Sequence, residues 1–426
     1  MEGSETVDDS GTARRARERP LPAVMVVWSG AAPCLRILPL ERGALTLGRD
    51  ETRLPDDDRL SRKHAEIGWN GQKWTVRDLG SRNGTHVDGK RIEGARVGEA
   101  PRVVRVGRTL LVLLADARAI LDDPAVTIDE LVRGPTSRRA LARIEQIARA
   151  GDHLLITGET GSGKEHAARA FHTGGGPFVV VNCATVPEGV AERLLFGARK
   201  GAFSGATDAE GFLAAANGGV LFLDEIGELE LDVQAKLLRV LETREVVPLG
   251  ATTGKKLDLR FCFATHRDLR AAVDDGRFRE DLYHRIAHPQ VAMPPLRERP
   301  EELPWLLTTT IAKVRPELSL HTTFVEACLS RTWPGNVREL QHHARAAAHA
   351  AIAARETVIT HEHLDPEAGR ARQSEPSART SRVQVEEALS AEGGNVAAAA
   401  RSLGLHRTQL YRLLERFGIR AGRDGG

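Results

Sequence analysis

The stretch Gly158-Glu159-Thr160-Gly161-Ser162-Gly163-Lys164 constrains this chain more than any other. It follows the apolar run Leu154-Leu155-Ile156-Thr157 and precedes a helical segment opening at Glu165. Strand, glycine-rich turn and helix in that order make a phosphate-binding loop. The glycines let successive backbone N–H groups wrap a phosphate, the helix N-terminus favours negative charge, and the lysine reaches the β- and γ-phosphates. The hydroxyl residue that commonly follows the lysine and touches Mg²⁺ is here Glu165. Read by itself, the motif also fits a turn that holds no ligand. A second element narrows the choice. Val220-Leu221-Phe222-Leu223-Asp224-Glu225 is an apolar strand ending in two carboxylates. Asp224 stands where a Walker B aspartate holds the Mg²⁺ shell, and Glu225 is placed to orient and activate a water.

These elements lie in a region where helices alternate with buried strands, Leu259–Ala264 among them, which predicts a parallel α/β sheet. The texture before Asp116 is different. Short β-rich runs such as Ala23–Trp28, Ala44–Leu47, Trp74–Arg77 and Thr109–Leu114 are broken by Gly, Asp and Asn, which predicts an all-β sandwich. The division expected along the chain is a disordered 1–20, a β-sandwich at 21–115, a linker at 116–133, an α/β subdomain at 134–296, a helical lid at 297–365, a Pro/Ser-rich linker at 366–381 and a small helical domain at 382–420.

The closing segment Gly394–Arg416 has the spacing of a helix-turn-helix. Asn395 is an N-cap, an alanine run permits close packing, and Gly404 sits in the turn. The second helix is expected to bury Leu410, Leu413 and Leu414. It would then present Arg407, Thr408, Gln409, Tyr411 and Arg412 to a major groove and its phosphates. A hairpin used only for dimerisation has the same pattern. A net charge of +2 excludes a general polycation, so any DNA contact must come from such a local patch.

With 41% hydrophobic and 28% charged residues the composition is that of a soluble globular protein. The four cysteines, Cys34, Cys183, Cys262 and Cys328, form no CxxC pair, which argues against a disulfide framework or zinc site. No signal peptide and no long apolar run is evident, so a cytoplasmic location without membrane contact is expected.

Two resemblances organise these readings. From about Val132 to Leu364 the chain resembles the AAA+ domain of bacterial enhancer-binding proteins, the activators of sigma-54 RNA polymerase. The matching segments are Gly158–Glu165, Asn182-Cys183-Ala184, Leu195-Phe196-Gly197, Gly201–Ala206, Gly218–Glu225, Ala264-Thr265-His266, Phe278–Arg285, Pro295–Arg299 and Trp333–Leu340. Glu165 after the lysine is usual in that family. The resemblance implies ATP and Mg²⁺ as ligands, with Gly158 through Glu165, Thr265 (sensor I) and Arg338 (sensor II) at the nucleotide. It implies a catalytic group of Lys164, Asp224, Glu225, Asn182 restraining Glu225, and two candidate arginine fingers, Arg279 and Arg285, that would serve a neighbouring subunit in a hexamer. The loop Gly201-Ala202-Phe203-Ser204-Gly205-Ala206 matches the family's sigma-54-contacting loop, with Ser204 where threonine is usual. The segment His172–Phe178 is shorter than its family counterpart, and Glu210-Gly211-Phe212 lacks a basic residue expected there.

At the front, Leu47-Gly48-Arg49, Ser61-Arg62-Lys63-His64-Ala65, Gly80–Thr85 and Val87-Asp88-Gly89 resemble a forkhead-associated (FHA) domain. That implies a phosphothreonine site built from Arg49, Ser61, Arg62 and Asn83, with His64 as a structural brace. A phosphate-independent docking module remains an alternative. The tail resembles the Fis-type DNA-binding domain. Together these imply an ATPase that binds an upstream DNA site as a dimer or hexamer, remodels sigma-54 polymerase and is controlled by a phosphothreonine protein of a Ser/Thr kinase pathway. The alternative is a DNA-binding phosphopeptide adaptor that acts without sigma-54.

Overall fold

A computed structural model describes residues 20–49, 57–98, 103–121, 127–128, 132–149, 153–187, 189–202, 207–370, 382–403, 410–411, 413–414 and 417–419. It contains two compact units, one ending at Gly369 and one beginning at Arg370.

Among the described residues the first unit opens with ten strands: β1 (Ala23–Ser29), β2 (Ala32–Pro39), β3 (Ala44–Leu47), β4 (Ala65–Trp69), β5 (Trp74–Asp78), β6 (Thr85–Val87), β7 (Lys90–Arg91), β8 (Ala95–Gly98), β9 (Val103–Val106) and β10 (Thr109–Leu114). They form two antiparallel sheets, ordered β2-β1-β10-β9-β6-β7 and β3-β4-β5-β8. Period-2 patterning makes the sandwich. Leu45, Leu47, Ile67 and Val76 point from one sheet toward Val24, Val26, Val104 and Leu111 of the other. β1 departs from that pattern, because all seven of its residues are buried. Met25, Val27 and Trp28 leave the sandwich core and join one cluster with Leu307, Ile311, Phe324 and Cys328 of the helical lid. A strand buried on both faces reads as a continuous apolar run rather than an alternating one.

The α/β layer is a five-stranded parallel sheet, ordered Phe178–Asn182, Val220–Asp224, Arg260–Thr265, His153–Thr157 and Gln290–Ala292. Crossover helices cover both faces, so the inner strand Val220–Asp224 is apolar up to its last residue, with Val220 to Leu223 completely buried. The register sets Thr157 opposite Thr265 and Asn182 opposite Asp224. The chemistry-bearing residues therefore emerge together at the carboxyl ends of the strands, where open α/β sheets bind ligands. The lid packs the helices Leu303–Val314, Thr322–Leu329 and Asn336–Ala353 about Leu307, Phe324, Trp333 and Ala347. Trp333 donates its indole N–H to the Cys328 carbonyl at 2.8 Å.

In the second unit, helices Arg382–Ala391 and Val396–Ser402 close over Val385, Leu389, Val396, Ala399 and Ala400, with Leu410 and Leu414 in the same cluster. The Asn395 side chain caps the second of these helices by accepting from the Ala397 and Ala398 amides. The described cysteines are all free. Among the described residues no helix is long and apolar enough to cross a membrane.

Candidate functional site

The helix Lys164–Phe171 begins where the glycine loop ends, and Gly163 takes a left-handed conformation at its N-cap. Gly161 is also left-handed, at φ +74°, and a Cβ there would lie 2.3 Å from the Gly335 carbonyl oxygen of the lid. A side chain is thus excluded twice at this position, by conformation and by close approach. The buried Lys164 ammonium donates to the Gly158 carbonyl at 3.0 Å and lies 3.5 Å from Glu225 Oε1. Lys164, Asp224, Glu225, Asn182 and Arg338 line one cavity of about 650 Å³, with Thr160 through Glu165 along its floor. The two carboxyl groups have opposed properties. Burial, with the Glu225 charge beside it, pushes the Asp224 carboxyl up. Burial also acts to raise Glu225, but the His266 hydrogen bond and the Lys164 charge outweigh it and hold Glu225 below the usual carboxylate range. Neighbouring acids pushed apart in this way can take different chemical roles.

Glu225 sits at φ +55°, a left-handed conformation that costs a non-glycine residue about 1–3 kcal/mol and persists only where surroundings fix it. His266 does much of the fixing. Its Nδ1 is 2.7 Å from Glu225 Oε2, and its backbone N–H donates to the same oxygen at 3.2 Å. Asn182 uses its side-chain oxygen elsewhere, accepting from the Ala184 amide to cap the turn Cys183–Thr185. Thr265 is fully buried, and its hydroxyl accepts from the Arg267 amide. Of the Ala264-Thr265-His266 segment, the histidine is the residue that lines the cavity. Glu159 likewise turns away from the cavity. Its carboxylate receives Arg297 at 2.8 Å and the Asn336 side-chain amide at 3.0 Å.

Asn336 and Arg299 are the residues that sequence reasoning passed over. Asn336 is fully buried. It donates to the Thr160 carbonyl and accepts from the Leu296 amide, while the Val337 amide donates to the Gly161 carbonyl. These bonds stitch the lid onto the phosphate loop. Arg299 donates to the Ser162 carbonyl at 2.7 Å and to Glu302 at 3.0 Å. The signal for Asn336 was present, since it directly precedes the Val337-Arg338 pair in a segment already singled out.

Arg279 pairs with Asp281, and Arg285 donates to the Leu241 carbonyl. Neither lines the cavity of its own chain. The loop at Gly201 rises from a bridge in which Ala198 and Ala209 exchange both backbone hydrogen bonds. The Ala202 amide donates to the Arg199 carbonyl. Phe203, Ser204, Gly205 and Ala206 lie outside the described residues.

On the sandwich, the exposed Arg49 guanidinium donates to the Leu60 carbonyl at 2.9 Å. Asn83 donates to the Arg59 carbonyl at 2.7 Å, and the Ser61 hydroxyl accepts from the Arg82 amide. Arg62 is exposed beside them. His64, fully buried, accepts from the Ser61 amide at Nδ1, so its Nε2 carries the proton that reaches the Gly84 carbonyl. Asp78 organises the adjoining loop by accepting from Ser81 and Thr85 hydroxyls and from the Gly80 and Ser81 amides. In the tail Tyr411 is exposed, whereas Arg407, Thr408, Gln409 and Arg412 lie outside the described residues.

Comparison with known proteins matches four family models in order. They are an FHA domain over residues 45–126, a sigma-54 interaction domain over 131–292, an AAA+ ATPase lid domain over 297–381 and a bacterial regulatory protein of the Fis family over 379–417. In the order of its domains the chain is similar to the sigma-54-dependent transcriptional activators. Among curated relatives of this chain, the anaerobic nitric oxide reductase transcription regulator NorR of Aeromonas hydrophila is 39% identical over 320 residues, covering 68% of this chain and 63% of the relative. The hydrogenase transcriptional regulatory protein HoxA of Bradyrhizobium diazoefficiens is 40% identical over 311 residues, covering 67% of this chain and 64% of the relative. The chain thus spans under two thirds of the length of these relatives. A crystal structure of NtrX from Brucella abortus in complex with ATP is 29% identical, with a TM-score of 0.51 over 70% of this chain and 72% of that one.

Proposed function

We propose that this chain is a sigma-54-dependent transcription activator that hydrolyses ATP in a homo-oligomeric ring and uses the turnover to remodel sigma-54 RNA polymerase. The convergence of Lys164, Asp224 and Glu225 on one cavity carries the reading. Lys164 and the loop amides bind the phosphates. Glu225, kept ionised and aimed by His266 and Lys164, accepts a proton from the attacking water. Asp224 fits a divalent cation, because it is a half-buried carboxylate whose pairing with Glu225 is unfavourable without added positive charge. Bound Mg²⁺ would neutralise charge on the phosphate oxygens. Arg279 and Arg285, turned away from their own cavity, are suited to supply charge to a neighbour's nucleotide, so hydrolysis depends on assembly, with a hexamer as the expected ring. The loop Gly201–Ala206 contacts sigma-54. The tail binds an upstream DNA site as a dimer through Arg407, Thr408, Gln409, Tyr411 and Arg412. The sandwich reads phosphothreonine through Arg49, Ser61, Arg62 and Asn83.

ATP binding and turnover by Glu225→Gln test the chemistry. The variant should bind ATP and fail to hydrolyse it, and unchanged turnover would reject the assignment. Transcription in vitro from a sigma-54 promoter tests the target. Activation that survives deletion of Gly201–Ala206 would favour a regulator acting without sigma-54.

A further inference from the structure

The surface that the sandwich turns toward the lid is a second core. Met25, Val27 and Trp28 of β1, Val103 of β9, and Leu110 and Val112 of β10 share one apolar cluster with Leu307, Ile311, Leu320 and Phe324 of the lid. An ion pair closes its edge. Arg105 Nε lies 2.6 Å from Glu326 Oε2, with side chains only 17% and 5% exposed. Beside it the Thr322 hydroxyl donates to the Arg108 carbonyl at 3.5 Å.

From this edge a chain of hydrogen bonds runs to the peptide loops. The Arg108 amide and the Thr109 hydroxyl both donate to Asp57 Oδ2, at 2.7 and 2.9 Å. Asp57 Oδ1 accepts from the Arg59 amide. The carbonyls of Arg59 and Leu60 are in turn held by Asn83 and Arg49. The four residues Asp57 to Leu60 are therefore gripped on one side by the turn that meets the lid. On the other side they are gripped by two of the residues proposed to hold phosphothreonine. In the opposite direction, Phe324 and Leu307 pack in the same cluster as Leu340 and Ala344, on the helix whose first residues bond to the phosphate loop.

We infer that the sandwich is seated on the lid as a fixed part of it, and that occupancy of the Arg49/Asn83 loops and occupancy of the nucleotide cavity are energetically coupled through this seat. The identity of the loop ligand rests on the phosphothreonine reading above; the seat itself does not. Each ligand would hold one end of a bonded, close-packed path, and each biases the other to the extent that it shifts that path. Linkage requires the two effects to be equal, at about 5- to 150-fold in affinity for couplings of ordinary size.

The test uses the full chain and two measurements. In the first, amide hydrogen exchange is followed with and without ATPγS. Protection should change at Asp57–Leu60 and Val103–Leu114, and exchange that is unaltered there overturns the coupling. In the second, the phosphothreonine peptide that binds best from a degenerate library is titrated with and without ATPγS. A shift of at least fivefold, matched by the reciprocal titration, supports the coupling; binding with no shift overturns it. If no library peptide binds while the exchange still responds to ATPγS, the coupling stands and the phosphothreonine reading falls. Arg105→Glu and Glu326→Arg should each reduce the response, and the two together should restore it. Equal loss in the singles and the double would overturn the role given to this edge.

Discussion

Replacing Arg299 by alanine should destabilise the ATPase unit more than any other single truncation of an arginine at the site. Arg299 is 5% exposed and Glu302 is 1% exposed. The guanidinium joins the Glu302 carboxylate to the Ser162 carbonyl of the phosphate loop. Glu302 also accepts from the Gly134 amide and the Ser137 hydroxyl, which fix it in place. Alanine at 299 removes the cation and leaves that carboxylate buried, a change worth about 3–5 kcal/mol. At about 2–4 °C per kcal/mol for a unit of this size, the melting temperature should fall by about 6–20 °C. Nucleotide affinity should fall with it, because the loop loses the bond to Ser162. The double variant Arg299→Met/Glu302→Gln removes both charges together and should recover most of the stability. It should leave nucleotide affinity impaired, since the bond to Ser162 is still missing. Thermal unfolding by circular dichroism and titration with a fluorescent ATP analogue read the two effects separately. A single variant that melts within about 2 °C of the parent, or a double variant no better than the single, would refute the reasoning.

Four further outcomes are expected. Glu225→Gln should lower kcat by about 10²–10⁴ while ATP affinity is retained, as measured by phosphate release and equilibrium binding. Gly161→Ala forces a left-handed backbone and a clash with Gly335; about 1–3 kcal/mol of strain should weaken nucleotide binding about 5- to 150-fold in the same fluorescence titration. Arg49→Ala should weaken binding of a phosphothreonine peptide by about 10- to 150-fold in calorimetry, through loss of a charge-assisted bond worth about 1.5–3 kcal/mol. The pH response of Glu225 has a definite sign. Its carboxyl is depressed in the folded chain, so its contribution to stability is complete above the unfolded glutamate value and is lost as pH falls through the folded one. His266→Ala removes the depressing hydrogen bond, and the acid limb of the rate–pH profile should move to higher pH.

The parts of the molecule that were legible beforehand are those where chemistry dictates residue type at fixed spacing. The glycines and lysine of the loop and the acids closing the apolar strand Val220–Asp224 could be read directly, because a glycine turn between strand and helix and an apolar strand ending in carboxylates are patterns few other sequences share. Choices among adjacent residues were harder. Thr265 and His266 differ by one position, and the chain's turn beyond the last ladder pair decides which faces the cavity. Glu159 carries the loop motif yet serves the lid, through partners more than 130 residues away that no local pattern announces. β1 was read as a strand, but its unbroken apolar run also signalled cover on both faces, a cue hidden by its short length.

That unbroken run has a consequence for how such a chain can change over generations. A sensory module joined only by a tether can be exchanged by recombination at the tether. Here Met25, Val27 and Trp28 belong to the lid's interior as much as to their own strand. A foreign sandwich spliced onto this lid would leave part of the lid's oily surface bare. A transplanted sandwich would carry an oily face of its own into solvent. The two pieces must therefore be inherited, and altered, as a matched set.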